Sequence, residues 1–263
     1  MIINLKGKTA LVCGASQGIG NAIAMGLAKA GANVILLARN EERLKSALGK
    51  LDSDHEQKHA YIIADLNNVS SLKNALQNYF SHATESISIL VNNTGGPAPG
   101  PAHTAKSEEF INAFEQHVIC NHILMQAVLP GMKAENYGRI INIISTSVKA
   151  PLSNLGVSNT VRAAVANWAK TLANELGIFG ITVNNILPGA TATGRLENII
   201  KNKAEKTQQS IETISAEMQA EIPMGRFGKP EEIAAAAVFL ASPMASYING
   251  INLPVDGGRT PNL

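Results

Sequence analysis

The sequence predicts an α/β fold: a single domain built on a doubly wound sheet of seven parallel strands with helices on both faces. Three observations carry that expectation. Short, β-rich apolar runs at residues 9–13, 33–38, 59–64, 88–92, 139–144, 181–187 and 248–254 alternate with longer stretches of helical spacing. The runs are nearly continuous in apolar residues, as strands covered on both faces require. Each gap between runs is long enough for the crossover helix that a parallel pair demands.

The elements follow in chain order. The run at 9–13 leads through a glycine-rich turn into a helix over 21–30, and the run at 33–38 follows at once. Gly95 to Pro101 reads GGPAPGP, where no helix can start and a loop must lie over the sheet edge. Residues 194–226 are a polar insertion with helical spacing at Leu196, Ile199, Ile200, Ile211, Ile214 and Met218, the expected site of a substrate lid. No linker interrupts the pattern, so residues 1–263 are expected to form one domain.

Composition narrows the function classes. The 22 basic and 20 acidic residues leave a net charge of +2 with no basic block, which argues against a nucleic-acid partner. Cys13 and Cys120 are the only cysteines and lie in apolar stretches without CxxC spacing, so neither a disulfide nor a zinc site is expected and a reducing cytoplasm fits. No metal site is expected from the histidines: His117 and His122 do not share a helical face, and His55 and His59 fit a solvated loop. No apolar run reaches the roughly 18 residues of a membrane span. The N-terminus runs straight into a strand without a leader-like pattern, so a soluble cytoplasmic protein is expected.

The first strand ends in Gly14-Ala15-Ser16-Gln17-Gly18-Ile19-Gly20, with a helix directly behind. Glycines there permit a tight turn and let backbone N–H groups approach a pyrophosphate, whose charge is stabilised by the helix N-terminus. That placement predicts a Rossmann-type dinucleotide site. At the end of the second strand stands Arg39, followed by Asn40, where an acidic residue would bind ribose hydroxyls. A permanently charged guanidinium fork suits a 2′-phosphate, so NADP(H) is the expected cofactor; an ordinary solvated charge at a helix start is the alternative reading of Arg39.

The spacing GxxxGxG, with Cys13 where Thr is usual, resembles that of the short-chain dehydrogenase/reductase family. The resemblance runs along nearly the whole chain. Asp65-Leu66 follows the third strand where the family has an adenine-contacting Asp, and Asn92-Asn93-Thr94-Gly95 resembles its NNAG. Pro188-Gly189 with Thr193 resembles PGxxxT, and Val255-Asp256-Gly257-Gly258 matches a C-terminal DGG. The resemblance implies cofactor contacts from Gly14, Ser16, Gln17, Gly18, Ile19, Gly20, Arg39, Asp65, Leu66, Asn92, Gly95, Arg162, Pro188, Gly189 and Thr193. It also implies a homodimer or homotetramer, with the alanine-rich helix over 163–175 packed across a twofold axis.

The catalytic part of the family pattern departs from the usual one. Ser145, at the end of the fifth run, matches the family's Ser, but Ser158 stands where its Tyr belongs and Arg162 where its Lys belongs. The residues four positions after Tyr61, Tyr79, Tyr137 and Tyr247 are Asp65, Ala83, Ile141 and Ile251, so no YxxxK occurs anywhere. The family's helix Asn maps onto His117, with Asn121 one turn later as the alternative. A serine hydroxyl does not titrate near neutrality and arginine does not give up its proton, so the usual acid is missing.

Ser147-Val148-Lys149-Ala150-Pro151 and Ser158-Asn159-Thr160-Val161-Arg162 resemble a divergent branch of the family labelled as 3-oxoacyl-acyl-carrier-protein reductases. Lys149, just past Ser145, and His117 are the candidate replacement proton groups, and each has a structural alternative as a loop charge or a core histidine. Two functions follow. One is an NADP(H)-dependent oxidoreductase acting on a carbonyl or alcohol, either a small molecule or an acyl thioester. The other is a catalytically impaired NADP(H)-binding sensor or scaffold.

Overall fold

The computed structural model describes residues 3–83 and 85–261. Seven parallel strands form one sheet: β1 (Thr9–Cys13), β2 (Asn33–Ala38), β3 (Ala60–Ile63), β4 (Ile89–Asn92), β5 (Gly138–Ile143), β6 (Ile181–Pro188) and β7 (Asn252–Val255). Their order is β3-β2-β1-β4-β5-β6-β7, as expected of a doubly wound sheet. The order reverses between β1 and β4, so a crevice opens there at the carboxyl edge, the place where folds of this class bind ligands.

Period-two alternation splits the core into two layers. Ala10, Val12, Val34, Leu36, Ile89 and Val91 meet Ile23, Ala24 and Leu27 of α1 (Gly18–Lys29) and Ile233, Ala237 and Leu240 of α9 (Pro230–Ala241). Leu11, Leu37, Leu90, Ile140 and Val183 meet the opposite layer. It comprises α3 (Val69–Phe80), α5 (Cys120–Ala134) and α6 (Gly156–Leu176). Burying both faces explains why the strands read as unbroken apolar runs. A Cβ at Gly26 would lie 3.0 Å from Val238 Cγ2, so the missing side chain lets α1 and α9 approach closely.

One polar row crosses the second layer. Asn92, Asn142, Asn185 and Asn252 are register partners on β4, β5, β6 and β7. Each Nδ2 donates to the next Oδ1: Asn92 to Asn142 at 2.8 Å, Asn142 to Asn185 at 2.9 Å and Asn185 to Asn252 at 2.8 Å. An amide carries both donor and acceptor, so identical side chains in register satisfy one another along the sheet. The Asn92 Oδ1 at the β1 end of the row is buried without a partner.

Two sequence expectations shift at their edges. Helix α1 begins at Gly18 rather than Asn21, so the glycine turn is shorter than expected. The last strand starts at Asn252, and residues 248–251 form a clasp instead. Gly250 takes φ +75, Asn249 Oδ1 accepts from Val183 N at 2.9 Å, and Asn184 Oδ1 accepts from Ile251 N at 3.1 Å. These side-chain bonds stand beside two backbone bonds to β6, Gly250 N to Val183 O and Asn185 N to Ile251 O, both at 2.9 Å. His59 also does more than a loop residue: its Nδ1 accepts from Val34 N at 3.1 Å, bracing β2.

In the 194–226 insertion, α7 (Gly194–Thr207) and α8 (Ile211–Ala220) pack through Leu196, Ile200, Ala204 and Ile214, with Met218 and Phe227 beside them. Ile199 and Ile211 of the expected apolar face are exposed. Among the described residues no helix is long and apolar enough to cross a membrane.

Asn142→Ala strands Asn92 Nδ2 and Asn185 Oδ1 in the core, and a loss of about 3 kcal/mol is expected in urea unfolding. A loss below about 0.5 kcal/mol would show that the row is dispensable.

Candidate functional site

The crevice begins at the turn after β1. Gly14 and Gly18 take φ +58 and +59, a region side chains rarely adopt. At Gly20 a Cβ would lie 2.3 Å from Gly14 O and 2.6 Å from Asn93 Nδ2, so only glycine fits. Asn93, at the end of β4, donates its Nδ2 to Cys13 O at 3.2 Å and to Gly14 O at 3.4 Å, which ties the turn to the neighbouring strand.

The helix behind that turn is left open at its N-terminus. The Gln17 side chain makes no cap bond and no acidic residue stands in the first turn of α1. By contrast, Asn40, Asn68, Thr193 and Ser210 cap α2 (Glu41–Leu48), α3, α7 and α8. Unsatisfied N–H groups and the positive end of the helix dipole at a glycine turn fit a phosphate ester.

Beside it, between the ends of β2 and β3, lies a cleft of about 490 Å³ lined by Arg39, Asn40, Ile63, Ala64, Asp65 and Ser71. Arg39 is exposed at its rim. Arg43, on the first turns of α2, donates Nη1 to Gln17 Oε1 at 2.7 Å and so links the cleft to the glycine turn; the sequence reading passed over it. Asp65 Oδ1 accepts from Asn67 N at 3.0 Å, which fixes the loop after β3. Leu66 is buried, and its carbonyl accepts from the Cys120 thiol at 3.3 Å. The residues present therefore fit a phosphorylated dinucleotide: an open helix end, a turn that excludes side chains, and a cation beside a cleft.

The other flank is built by β4 and β6. Asn92 spends its side chain in the asparagine row, while Gly95 lies in the loop beyond with open space where a Cβ would stand. Gly189 N donates to Val255 O at 3.0 Å, and a Cβ on Gly189 would press on Asp256. Asp256 in turn accepts from Gly258 N at 3.0 Å, so the DGG motif braces the Pro188-Gly189 turn. A Cβ on Gly18 would lie 3.5 Å from Thr193 Cγ2, which brings the loop after β6 against the glycine turn.

The catalytic candidates stand at the ends of β5 and α6. Ser145 opens a short 3-10 turn, Thr146–Val148, and its Oγ accepts from Ser147 N at 3.1 Å. Lys149 ends that turn and is partly buried. Ser147 Oγ is buried without a hydrogen-bond partner. Ser158 and Arg162 lie one turn apart on α6, at 8% and 7% exposure, and Arg162 Nη1 donates to Ile143 O at 3.0 Å. Burial, and the charge of Arg195 next, bring Arg162 down to about 10, so it stays protonated at neutral pH.

His117 sits in a π-helical turn, Glu115–Ile119, between α4 (Ser107–Phe114) and α5. Such turns are frequent at functional sites. Burial above all, and then the charges of Arg162 and Arg195, push its imidazole down to about 2. It is neutral across the physiological range, with Nε2 buried and unpartnered. Asn121, the alternative position, is buried one turn further on.

Comparison with known proteins supports the same fold and the same cofactor class. Residues 14–260 match the sequence profile of the family described as Enoyl-(Acyl carrier protein) reductase. The chain is 32% identical over 257 residues to the NADPH-dependent reductase BacG of Bacillus subtilis, covering 97% of this chain and 99% of that protein. It is 36% identical over 258 residues to the 3-oxoacyl-acyl-carrier-protein reductase FabG of Vibrio cholerae, covering 97% and 98% respectively. The crystal structure of L-sorbose reductase from Gluconobacter frateurii, complexed with NADPH and L-sorbose, superimposes with a TM-score of 0.93 at 31% identity, covering 100% of both chains.

The buried histidine sets an acid limit on stability. Its folded value of about 2 lies below the ordinary 6.5, so the unfolded chain takes up the proton first, and stability falls as pH drops below about 6.5. Wild type is expected to lose about 2 kcal/mol more than His117→Gln between pH 7 and pH 5 in urea unfolding. Parallel pH profiles would contradict this.

Proposed function

The chain belongs to the short-chain dehydrogenase/reductase family, and on that premise we propose that it is an NADPH-dependent reductase of carbonyl substrates whose proton does not come from the family's usual Tyr and Lys. The observation that carries the cofactor reading is the uncapped N-terminus of α1 behind a side-chain-excluding turn, with Arg39 at the rim of the neighbouring cleft. Backbone N–H groups of Gly14, Ser16, Gln17, Gly18, Ile19 and Gly20 hold the pyrophosphate. Arg39, supported by Arg43, takes the 2′-phosphate. Asp65 and Leu66 would contact the adenine, Asn92 and Gly95 the middle of the cofactor, and Pro188, Gly189 and Thr193 its nicotinamide side.

The chemistry the bound NADPH would supply is a hydride for the carbonyl carbon, with NADP⁺ left behind, and one proton must reach the carbonyl oxygen to give the alcohol. The chain's own residues orient the substrate and provide that proton. Ser145 donates a hydrogen bond to the carbonyl oxygen, and the fixed charge of Arg162 holds the ribose and stabilises developing negative charge. Neutral His117 and Ser158 serve as hydrogen-bonding groups, since neither can act as an acid near pH 7. Lys149 is the proton donor, replenished from solvent. Helices α7 and α8 form the lid, the substrate is a small carbonyl compound or an acyl thioester, and α6 pairs across a twofold axis in a dimer or tetramer.

Fluorescence titration should show NADPH bound at least about tenfold more tightly than NADH, with Arg39→Asp abolishing the preference. Absence of NADPH binding would refute the cofactor reading. In a panel of ketones and thioesters, NADPH consumption is expected in wild type and lost in Lys149→Ala with NADPH binding retained. The double change Ser158→Tyr, Arg162→Lys should raise turnover at least about tenfold, as restoration of a general acid does. Tight NADPH binding without consumption on any substrate would place the chain among sensors instead.

A further inference from the structure

Contact with a neutral ribose leaves the buried positive charge of Arg162 without a negative charge beside it among the described residues. Arg162 has lost nearly all contact with water, yet among the described residues it forms no ion pair, and its one recorded acceptor is Ile143 O at 3.0 Å. The other buried arginine provides the contrast. Arg139, at the opposite end of β5, donates to the carbonyls of Gly138, Gly180 and Ser242 and stacks on the Tyr137 ring 4.2 Å away, which uses most of its fork. Arg139 is structural by its contacts. Arg162 keeps unspent donors at the carboxyl edge of the sheet.

A second guanidinium reaches the same place from the lid. Arg195, on the first turn of α7, crosses to the loop after β4 and donates Nη1 to Gly96 O at 3.3 Å. A Cβ at residue 96 would lie 2.7 Å from Arg195 Nη2, so the glycine makes room for the crossing arginine. Among the described residues Arg195 forms no ion pair either. The charges of Arg162 and Arg195 both act on His117, whose buried Nε2 is unpartnered, and Arg195 acts on Arg162. Two like charges and an unsatisfied imidazole thus act on one another, and among the described residues neither guanidinium is paired with a carboxylate.

Like charges in a partly dry site repel, and an anionic ligand relieves that repulsion with paired, charge-assisted hydrogen bonds. We propose that the carbonyl substrate carries an anionic oxo-acid group, a carboxylate or a phosphate, received by Arg195 with the buried charge of Arg162 behind it. This rests on the reductase reading of the same crevice, and it restricts the substrate class to charged carbonyl compounds. It also gives the lid a reason to close: the anion bridges α7 to the body of the fold, where Arg195 now reaches only Gly96.

The test uses full-length protein saturated with NADP⁺, so that no turnover intervenes, and calorimetric titration with two matched pairs. Acetoacetate is compared with methyl acetoacetate, and dihydroxyacetone phosphate with dihydroxyacetone; the pairs separate carboxylate from phosphate. At least one anionic member is expected to bind about tenfold or more tightly than its neutral partner, and Arg195→Gln should bring that ratio close to one while Arg195→Lys retains part of it. Equal affinity for charged and neutral members in both pairs would overturn the proposal. So would an Arg195→Gln protein that loses NADPH affinity and keeps the anion preference, since Arg195 would then serve the cofactor. NADPH titration of wild type is read separately, and repeating the pairs without cofactor keeps a failure of the cofactor reading distinct from a failure of anion recognition.

Discussion

The amide of Asn93, set between Cys13 O and Gly14 O, is the contact on which the site depends. It holds the turn after β1 against the end of β4, across the point where the strand order reverses. With that turn fixed, Gly20 packs against Gly14 O at a distance no side chain tolerates, and α1 starts with its N–H groups aimed outward and uncapped. The anion-binding capacity of the crevice therefore follows from a strand-to-strand contact rather than from a charged side chain.

The asparagine row gives the other half of the sheet comparable rigidity. It crosses β4 to β7, and its β5 member, Asn142, stands three residues before Ser145 and next to Ile143, whose carbonyl anchors Arg162. A polar row inside an apolar layer tolerates only one register, because a one-residue slip would bury every amide unpaired. On that frame α7 and α8 differ in kind: they pack mainly on each other, and among the described residues Arg195 hydrogen-bonds the body of the fold through one carbonyl, Gly96 O.

Much of this was legible in the chain. Burial on both faces made the strands visible as apolar runs, and the glycine turn identified itself because backbone constraint is written directly into residue type at Gly14, Gly18 and Gly20. The last strand began later than the pattern suggested, since Ile248 and Ile251 look like strand residues while Asn249 and Gly250 turn the backbone into a side-chain clasp. The asparagine row was hidden, because its members are scattered through four apolar runs and only register brings them together. His117 could be placed by counting, but its protonation could not, since burial and two distant arginines decide it. Arg195 lacked any local signal; the tightness of Gly96 against its guanidinium appears only once α7 is folded against the loop after β4.

The proposed function joins an NADP(H) cradle to a carbonyl site in which Ser158 and Arg162 are proposed to stand where the family usually has an acid and a lysine. Its central claim is that hydride transfer survives that replacement. The most direct measurement supplies NADPH deuterated at the transferring C4 position with a carbonyl substrate that supports consumption, and reads the alcohol by mass spectrometry. The account predicts one deuterium on the former carbonyl carbon for each NADPH consumed. Consumption of NADPH that leaves the alcohol carbon unlabelled would contradict it.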